Sequence, residues 1–232
     1  MINQFKIYIV FFIGLQVLVQ TALGKTFSTA TKEFCRGIHN SLRCAESIER
    51  SRLPKHKGFV ERKGNKLRLY LSNGRVVELK TLTEEECEKN LERDDICAYA
   101  FWDFLKPVDY YLVFNQYYEG ISFSLVSRKT GQIFIIDEIP TLSPDNKRFV
   151  TVDYGDAYVS GRIQIWKFTS SGISLEWTYD KPLGHRGDAE WVDHRSIRIT
   201  AYIQDARGDL VPKYFIAVLN AQGWQILGEK HP

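Results

Sequence analysis

The chain has 232 residues, of which 44% are apolar, 25% charged and 13% aromatic. This composition excludes a disordered tail, a collagen-like fibre, a coiled coil and a protein with many membrane spans. The formal charge of +3 comes from 31 basic and 28 acidic side chains spread along the sequence, and it gives no support to a nucleic-acid-binding role.

The first 24 residues have the pattern of a secretory signal peptide. Lys6 precedes an apolar run of about 13 residues at 7–19, and the small residues Ala22 and Gly24 lie where a signal peptidase cleaves. The alternative is a retained anchor, but about 20 apolar residues are needed to cross a bilayer. We therefore expect an exported protein, periplasmic or secreted, that has no stable membrane span after cleavage.

The predicted exported part contains four cysteines: Cys35, Cys44, Cys87 and Cys97. An oxidising compartment favours disulfides, and of the three possible connectivities we favour the two short loops, Cys35 with Cys44 and Cys87 with Cys97. On a continuous helix the first two would lie on opposite faces and about 13 Å apart along the axis. Their bond therefore requires a break in the helix near Gly37 or Asn40.

A short amphipathic helix is predicted within residues 34–52. Its apolar side chains recur at helical spacing: Phe34, Ile38, Leu42, Ala45 and Ile48. Asn40 or Ser41 is a suitable cap near its start, and Pro54 limits its end. We assign residues 25–58 to this helical segment, and we expect the acidic residues 83–95 to form a solvated loop or a short helix.

From Phe59 the apolar period changes to two, which is typical of strands. Asn73-Gly74 between two alternating runs is a strong hairpin signal. Nine further strands are predicted: 110–117, 121–126, 132–136, 148–153, 162–168, 174–178, 196–203, 213–219 and 224–227. No helical segment of ten residues intervenes, so residues 59–232 are predicted to be mostly β and antiparallel.

A weak repeat runs through these strands. Polar turns contain Gly131, Gly172 and Gly223, which are 41 and 51 residues apart, and Gly74 lies a further 57 residues upstream. A blade of a β-propeller has a period of about 40 to 50 residues. Because a single hairpin buries too little apolar surface to be stable, we expect successive hairpins to stack on one another.

Two segments resemble propellers of the TolB and WD type. Residues 142–150 contain Ser-Pro-Asp-Asn-Lys-Arg, similar to the S-P-D-G-K-R turn, and residues 161–166 are similar to the I-x-I-W strand. Residues 191–197 resemble a degenerate second copy of the turn. Together with residues 44–49 and 116–120, these segments resemble a group of exported bacterial envelope proteins with propeller-like repeats.

This resemblance implies a small or incomplete β-propeller-like stack of hairpins with a short N-terminal α-helix. The alternative fold is a two-sheet β-sandwich. No specific activity is implied by the resemblance, because fold and activity are separable.

The densest polar segment covers residues 184–194. His185, Asp188 and His194 are candidate ligands for zinc or another transition metal ion. The two histidines lack the helical H-E-x-x-H spacing, so a solvated turn between blades is the preferred interpretation.

Two pairs of neighbouring carboxylates are candidates for glycosidase chemistry: Asp137 with Glu138, and Asp153 with Asp156. Adjacent residues of a strand normally point to opposite faces, which disfavours this interpretation. The chain has no G-x-S-x-G, S-x-x-K or Gly-rich phosphate-binding motif.

Aromatic residues are concentrated at 110–118, where we expect a strand buried on both sides. Tyr117, Tyr118 and Glu119 at its end are the candidate recognition surface, since large rigid aromatic side chains concentrate binding energy. The sequence thus predicts a non-catalytic exported binding module of the bacterial cell envelope with no cofactor, whose partner is an envelope protein or wall polymer. The alternative is a metal-dependent hydrolase that uses the His and Asp cluster.

Overall fold

The computed structural model describes residues 35–89, 95–155, 160–180 and 186–227. The predicted signal peptide at residues 1–24 lies outside these ranges. Within them the chain is mostly β, with four antiparallel sheets and two α-helices, as the sequence predicts. Neither described helix is long and apolar enough to cross a membrane.

Helix α1 spans Ser41–Arg52 and begins at one of the predicted caps. The side chain of Asn40 accepts a hydrogen bond from the backbone N–H of Arg43 at 2.9 Å, which satisfies a donor that the first helical turn leaves free. A 3₁₀ turn, Leu53–His56, follows with Pro54 inside it. Helix α2, Glu84–Lys89, lies in the acidic segment.

The strands form four sheets, numbered in chain order. Sheet 1 contains β1 Val60–Lys63, β2 Lys66–Tyr70 and β3 Val76–Lys80. Sheet 2 contains β4 Ala98–Leu105, β5 Tyr110–Gln116, β6 Ile121–Ser127 and β7 Ile133–Ile136. Sheet 3 contains β8 Thr141–Leu142, β9 Arg148–Gly155, β10 Ser160–Thr169 and β11 Gly172–Tyr179. Sheet 4 contains β12 Arg186–Asp193, β13 Ser196–Gln204, β14 Leu210–Asn220 and β15 Gly223–Leu227.

Each sheet is an antiparallel meander in which neighbouring strands follow one another in the chain. The last two strands of every sheet are joined at one glycine of the predicted repeat: Gly74, Gly131, Gly172 and Gly223. All four have a positive φ, between 79° and 134°, which glycine adopts without steric cost. The repeat in the sequence therefore marks the same turn in four successive sheets.

A meander places alternate turns at opposite ends of its strands, which we call the upper and lower edges. The upper edge carries the turns between first and second strands and between third and fourth strands of sheets 2 to 4, with the β2–β3 turn of sheet 1. The lower edge carries the other turns and the links between sheets. Upper-edge residues of successive sheets are in contact: Ser72 with Arg128, Tyr110 with Phe168, and Arg148 with Trp224 through the carboxylate of Glu176.

Each sheet packs on the next through its own apolar core. The core between sheets 1 and 2 contains Leu69 and Tyr111, and the core between sheets 2 and 3 contains Phe114 and Phe149 together with Ile48 of α1. A third core joins sheets 3 and 4: Ile163, Ile165, Ile197 and Ile199. Alternate residues of β5 enter the first two cores, so this strand is buried on both faces, as predicted.

A buried carboxylate ties α1 to two sheets. Glu49, only 5% exposed, binds the guanidinium of Arg62 in β1 through both oxygens at 2.8 and 2.6 Å. One of these oxygens also accepts the backbone N–H of Phe101 in β4 at 2.6 Å. Because every oxygen has a donor, the charge is compensated, and the helix keeps one position against sheets 1 and 2.

Two disulfides are formed, Cys35 with Cys44 and Cys87 with Cys97, which is the predicted connectivity. Cys44 lies in the first turn of α1, and the chain turns at Gly37, with a φ of 78°, before the Asn40 cap. This break brings Cys35 back to the helix. The second bond closes the segment that carries α2, between sheets 1 and 2.

The polar segment at residues 184–194 differs from the predicted solvated turn. Residues 186–193 form β12, the first strand of sheet 4, and Ala189 and Trp191 enter the core shared with sheet 3. The indole of Trp191 donates to the carbonyl of Thr141 at 2.8 Å. Only Ala189 and Trp191 are buried apolar residues, and the turn-type residues Gly187 and Asp188 precede them, so the sequence of this strand resembles a loop.

The two segments compared in the sequence, residues 142–150 and 191–197, each contain a turn that an aspartate stabilises. In the β12–β13 turn, Asp193 accepts the backbone N–H of Arg195 at 2.6 Å. In the β8–β9 turn, Asp145 accepts the backbone N–H of Lys147 at 3.1 Å. Both turns join the first and second strands of a sheet, and both use an aspartate to stabilise the reversal.

Candidate functional site

The predicted recognition residues Tyr117, Tyr118 and Glu119 form the turn between β5 and β6, at the lower edge of sheet 2. The side chain of Gln116 donates to the carbonyls of Tyr117 and Gly120 at 2.9 Å each. These bonds hold the turn in one conformation. Within this turn Tyr118 is 56% exposed, and Glu119 is also exposed.

The turn rests on a buried polar network. Asn115 is fully buried, and its amide nitrogen donates to the hydroxyls of Ser122 and Ser124 at 2.9 Å each. Ser122 in turn donates to the hydroxyl of Tyr117 at 3.1 Å. Satisfied buried networks of this kind favour a single arrangement. Tyr117 is therefore a supporting residue of the turn, and Tyr118 is the aromatic side chain that is open to a partner.

Three carboxylates and one guanidinium lie together at the link between sheets 2 and 3, also at the lower edge. Asp137 binds Arg162 of β10 at 2.9 Å, and Arg162 lies directly opposite Asp153 in the pairing of β9 with β10. Burial raises the pKa of the neighbouring Glu138 to about 7, with smaller contributions from the negative charges of Asp153 and Asp137. Near pH 7, Glu138 is therefore partly protonated in the folded protein.

This carboxylate group differs from the predicted glycosidase pairs. The fold joins Asp137 and Glu138 to Asp153, whereas Asp156 lies outside the described residues. The cause is the register of β9 with β10 and the short link after β7, which local sequence patterns do not reveal. The group can bind and release one proton near neutrality, and Arg162 supplies its positive charge.

The three predicted metal ligands are not brought together by the described structure. Asp188 lies in β12, and His194 lies in the upper-edge turn that follows this strand. A strand rises about 3.3 Å per residue, which separates the two side chains by most of the strand length. His185 lies outside the described residues, and within those residues no group of three His, Cys, Asp or Glu side chains could hold a metal ion.

No protein-family model matches the chain, and no curated protein matches it.

Proposed function

We propose that the chain is a non-catalytic, exported binding module of the bacterial cell envelope, built as an incomplete β-propeller-like stack. In this proposal the turn at Tyr117, Tyr118 and Glu119 contacts an envelope protein or wall polymer. The metal-dependent hydrolase is not carried further, because Asp188 lies in β12 and His194 lies in the turn beyond the far end of this strand.

The meander sheets support the propeller-like arrangement. Their first strands begin at Val60, Ala98, Thr141 and Arg186, intervals close to the propeller period. Three cores lie between four sheets in chain order. A two-sheet sandwich would instead have one core between two large sheets.

The two disulfides support export. Both bonds close in a chain whose cysteines all pair, and such bonds persist in oxidising compartments outside the cytoplasm. The N-terminal residues 1–24 carry the matching signal-peptide pattern.

Exposure of Tyr118 carries the binding proposal. A large aromatic side chain that is 56% exposed above a hydrogen-bonded turn has few internal contacts to lose and little conformational entropy to pay on binding.

Replacing Tyr118 by Ala tests the proposal. In a crosslinking pull-down from envelope extracts, we expect the wild-type chain to capture a specific partner and Tyr118→Ala to capture at least tenfold less. Val192→Ala is the matched control, since Val192 is 53% exposed on sheet 4. Equal capture by both variants, with melting temperatures unchanged, would show that the turn is not the recognition surface.

A further inference from the structure

The upper edge of the stack carries a set of exposed cations from all four sheets. Two come from the 3₁₀ turn and the residue after it, and the others come from five different turns. These seven side chains define the basic edge: Lys55, Lys57, Arg75, Lys106, Lys129, Lys147 and Arg195. Among the described residues, none of the seven has a carboxylate within 4.0 Å in an ion pair.

The carboxylates of the upper edge are already engaged by other groups. Asp109 binds Arg128 at 3.1 Å, and Asp103 binds Arg52 at 2.5 Å. The remaining two aspartates are used inside their own turns, where Asp145 accepts from Ser143 and Asp193 accepts a backbone N–H. Within the described ranges, the seven cations of the basic edge therefore have no carboxylate partner at ion-pair distance.

The lower edge has the opposite character. Four of its cations are paired with carboxylates: Lys66, Lys80, Lys89 and Arg162. Two exposed cations on this edge, Lys63 and Arg207, have no ion pair among the described residues, and the unpaired acids outnumber them. In the described part of the chain, seven exposed acids on this edge have no ion pair: Glu84, Glu88, Asp95, Glu119, Asp180, Asp205 and Asp209. The net charge of the chain is close to zero, but unpaired positive charge is thus concentrated at the upper edge and unpaired negative charge at the lower edge.

The meander explains why the sequence hides this polarity. The chain returns to the upper edge after every second strand, so cations that are far apart in sequence lie at one end of the stack. Contacts between upper-edge residues of successive sheets, such as Ser72 with Arg128 at 2.9 Å, keep these turns at one level.

We propose that the basic edge is a docking surface for an anionic lipid bilayer, with the acidic lower edge and the Tyr118 turn facing away from it. A planar surface can reach cations on all four sheets at once, whereas an extended polyanion meets only those along one line. Phe59, 37% exposed and stacked under the guanidinium of Arg128, adds an apolar group to the same edge. Interfacial binding combines such apolar contact with attraction to anionic headgroups.

Vesicle co-sedimentation of the full chain tests this surface. The vesicles are phosphatidylcholine alone, or phosphatidylcholine with 30% phosphatidylglycerol. Each lysine near an anionic surface strengthens binding about fivefold, so the triple variant Lys106→Ala, Lys129→Ala, Lys147→Ala should lose about 100-fold in partition onto the anionic vesicles. The full chain includes the apolar run at residues 7–19, which could bind lipid without any attraction between charges. Binding to the neutral vesicles measures this contribution.

A second triple variant removes the same charge from the lower edge: Lys63→Ala, Lys80→Ala and Lys89→Ala. We expect it to bind anionic vesicles within threefold of the wild-type chain, and we expect 0.5 M NaCl to release both proteins, since the Debye length then falls well below 10 Å. Circular dichroism melting confirms that both variants are folded.

Three results would overturn the proposal. One is no difference between anionic and neutral vesicles at low salt. Another is an equal loss of binding in the two triple variants. The third is affinity for double-stranded DNA or heparin in solution as strong as for the anionic vesicles, which would identify a linear polyanion as the partner.

Discussion

At the scale of single residues, Glu138 shows how the fold changes the chemistry of a side chain. It sits in the link between sheets 2 and 3, where Asp153 of β9 and Asp137 add negative charge and Arg162 of β10 is already bound to Asp137. The carboxyl group is largely removed from water and has no cation of its own among the described contacts. Its neutral form is therefore the main form in the folded protein at any pH below about 7.

A pH titration of stability should reveal this group. The pKa of Glu138 rises from 4.5 to about 7 on folding. Its contribution to the free energy of unfolding is therefore fully present below pH 4.5 and is lost as the pH rises through 7. This change in pKa corresponds to about 3 kcal/mol in the free energy of unfolding. We expect Glu138→Gln to unfold with a similar free energy at pH 4.5 and to be about 3 kcal/mol more stable than the wild-type chain at pH 8.5, measured by urea denaturation.

Glu119→Gln is the control for this titration, because Glu119 is an exposed carboxylate on the same edge. Its stability should follow the wild-type curve. A constant difference between Glu138→Gln and the wild-type chain across this pH range would contradict the assigned role of Glu138.

A feature of a single residue could be predicted from the sequence when it depends only on residues nearby in the chain. The Asn40 cap and the Cys35–Cys44 bond follow from the spacing of a few neighbouring residues, and both are confirmed. The surroundings of Glu138 depend on strand register and on the packing of two sheets, which no local pattern contains.

At the scale of elements, the recurring turn before the last strand of each sheet has two different environments. A Cβ atom at Gly172 would lie 2.5 Å from the ring of Phe134, so this turn packs closely on sheet 2. At Gly223, with a φ of 108°, a Cβ atom would meet nothing within 4 Å. A glycine with positive φ thus has open space around it in sheet 4 and is tightly enclosed in sheet 3.

Alanine substitutions separate these two effects. Gly223→Ala should cost about 1 to 2 kcal/mol for the positive φ alone. We expect Gly172→Ala, whose φ is 134°, to cost a further 1 to 3 kcal/mol or so, because Phe134 must move. Thermal and urea unfolding measure both values, and equal losses in the two variants would show that the ring of Phe134 yields without cost.

Element boundaries were predictable where apolar alternation was strong, as in β5, β6 and β13. Three strands were not predicted: β4, β8 and β12. Strand β8 has two residues, too few for a period. Strand β12 has only two buried apolar residues, Ala189 and Trp191, next to the turn-type residues Gly187 and Asp188. Strand β4 lacks alternation because it is buried on both faces for much of its length.

At the scale of the whole molecule, stability comes from cores between successive sheets, and the disulfides are secondary. Each bond closes a short loop, with a sequence separation of 9 or 10 residues. In the chain-entropy description each contributes roughly 2 to 3 kcal/mol. Neither bond joins one sheet to another.

Reduction of the disulfides should therefore lower the stability of the protein while its sheets stay folded. With dithiothreitol we expect a lower melting temperature, an unchanged far-ultraviolet circular dichroism spectrum at 20 °C and a transition that remains cooperative. The double variants Cys35→Ser with Cys44→Ser, and Cys87→Ser with Cys97→Ser, should each give part of the shift. Loss of the β-sheet spectrum on reduction would contradict this distribution of stability.

The overall class, mostly antiparallel β with one N-terminal helix, was predictable because composition and period act over the whole chain. Charge polarity was not, since sequence order alternates between the two edges and averages their charges to near neutrality. Only the positions of the turns in space separate Lys106 and Lys129 from Glu119.

The strictly sequential pairing of strands also determines how the chain can acquire its structure. Every described strand pairs only with strands in the same stretch of about 40 residues, so a sheet can close before the residues of the following sheet have left a ribosome or a translocation channel. The sheets can therefore form in order from the N-terminus, without pairing between distant strands. Each new sheet then packs on the exposed apolar face of the sheet that formed before it.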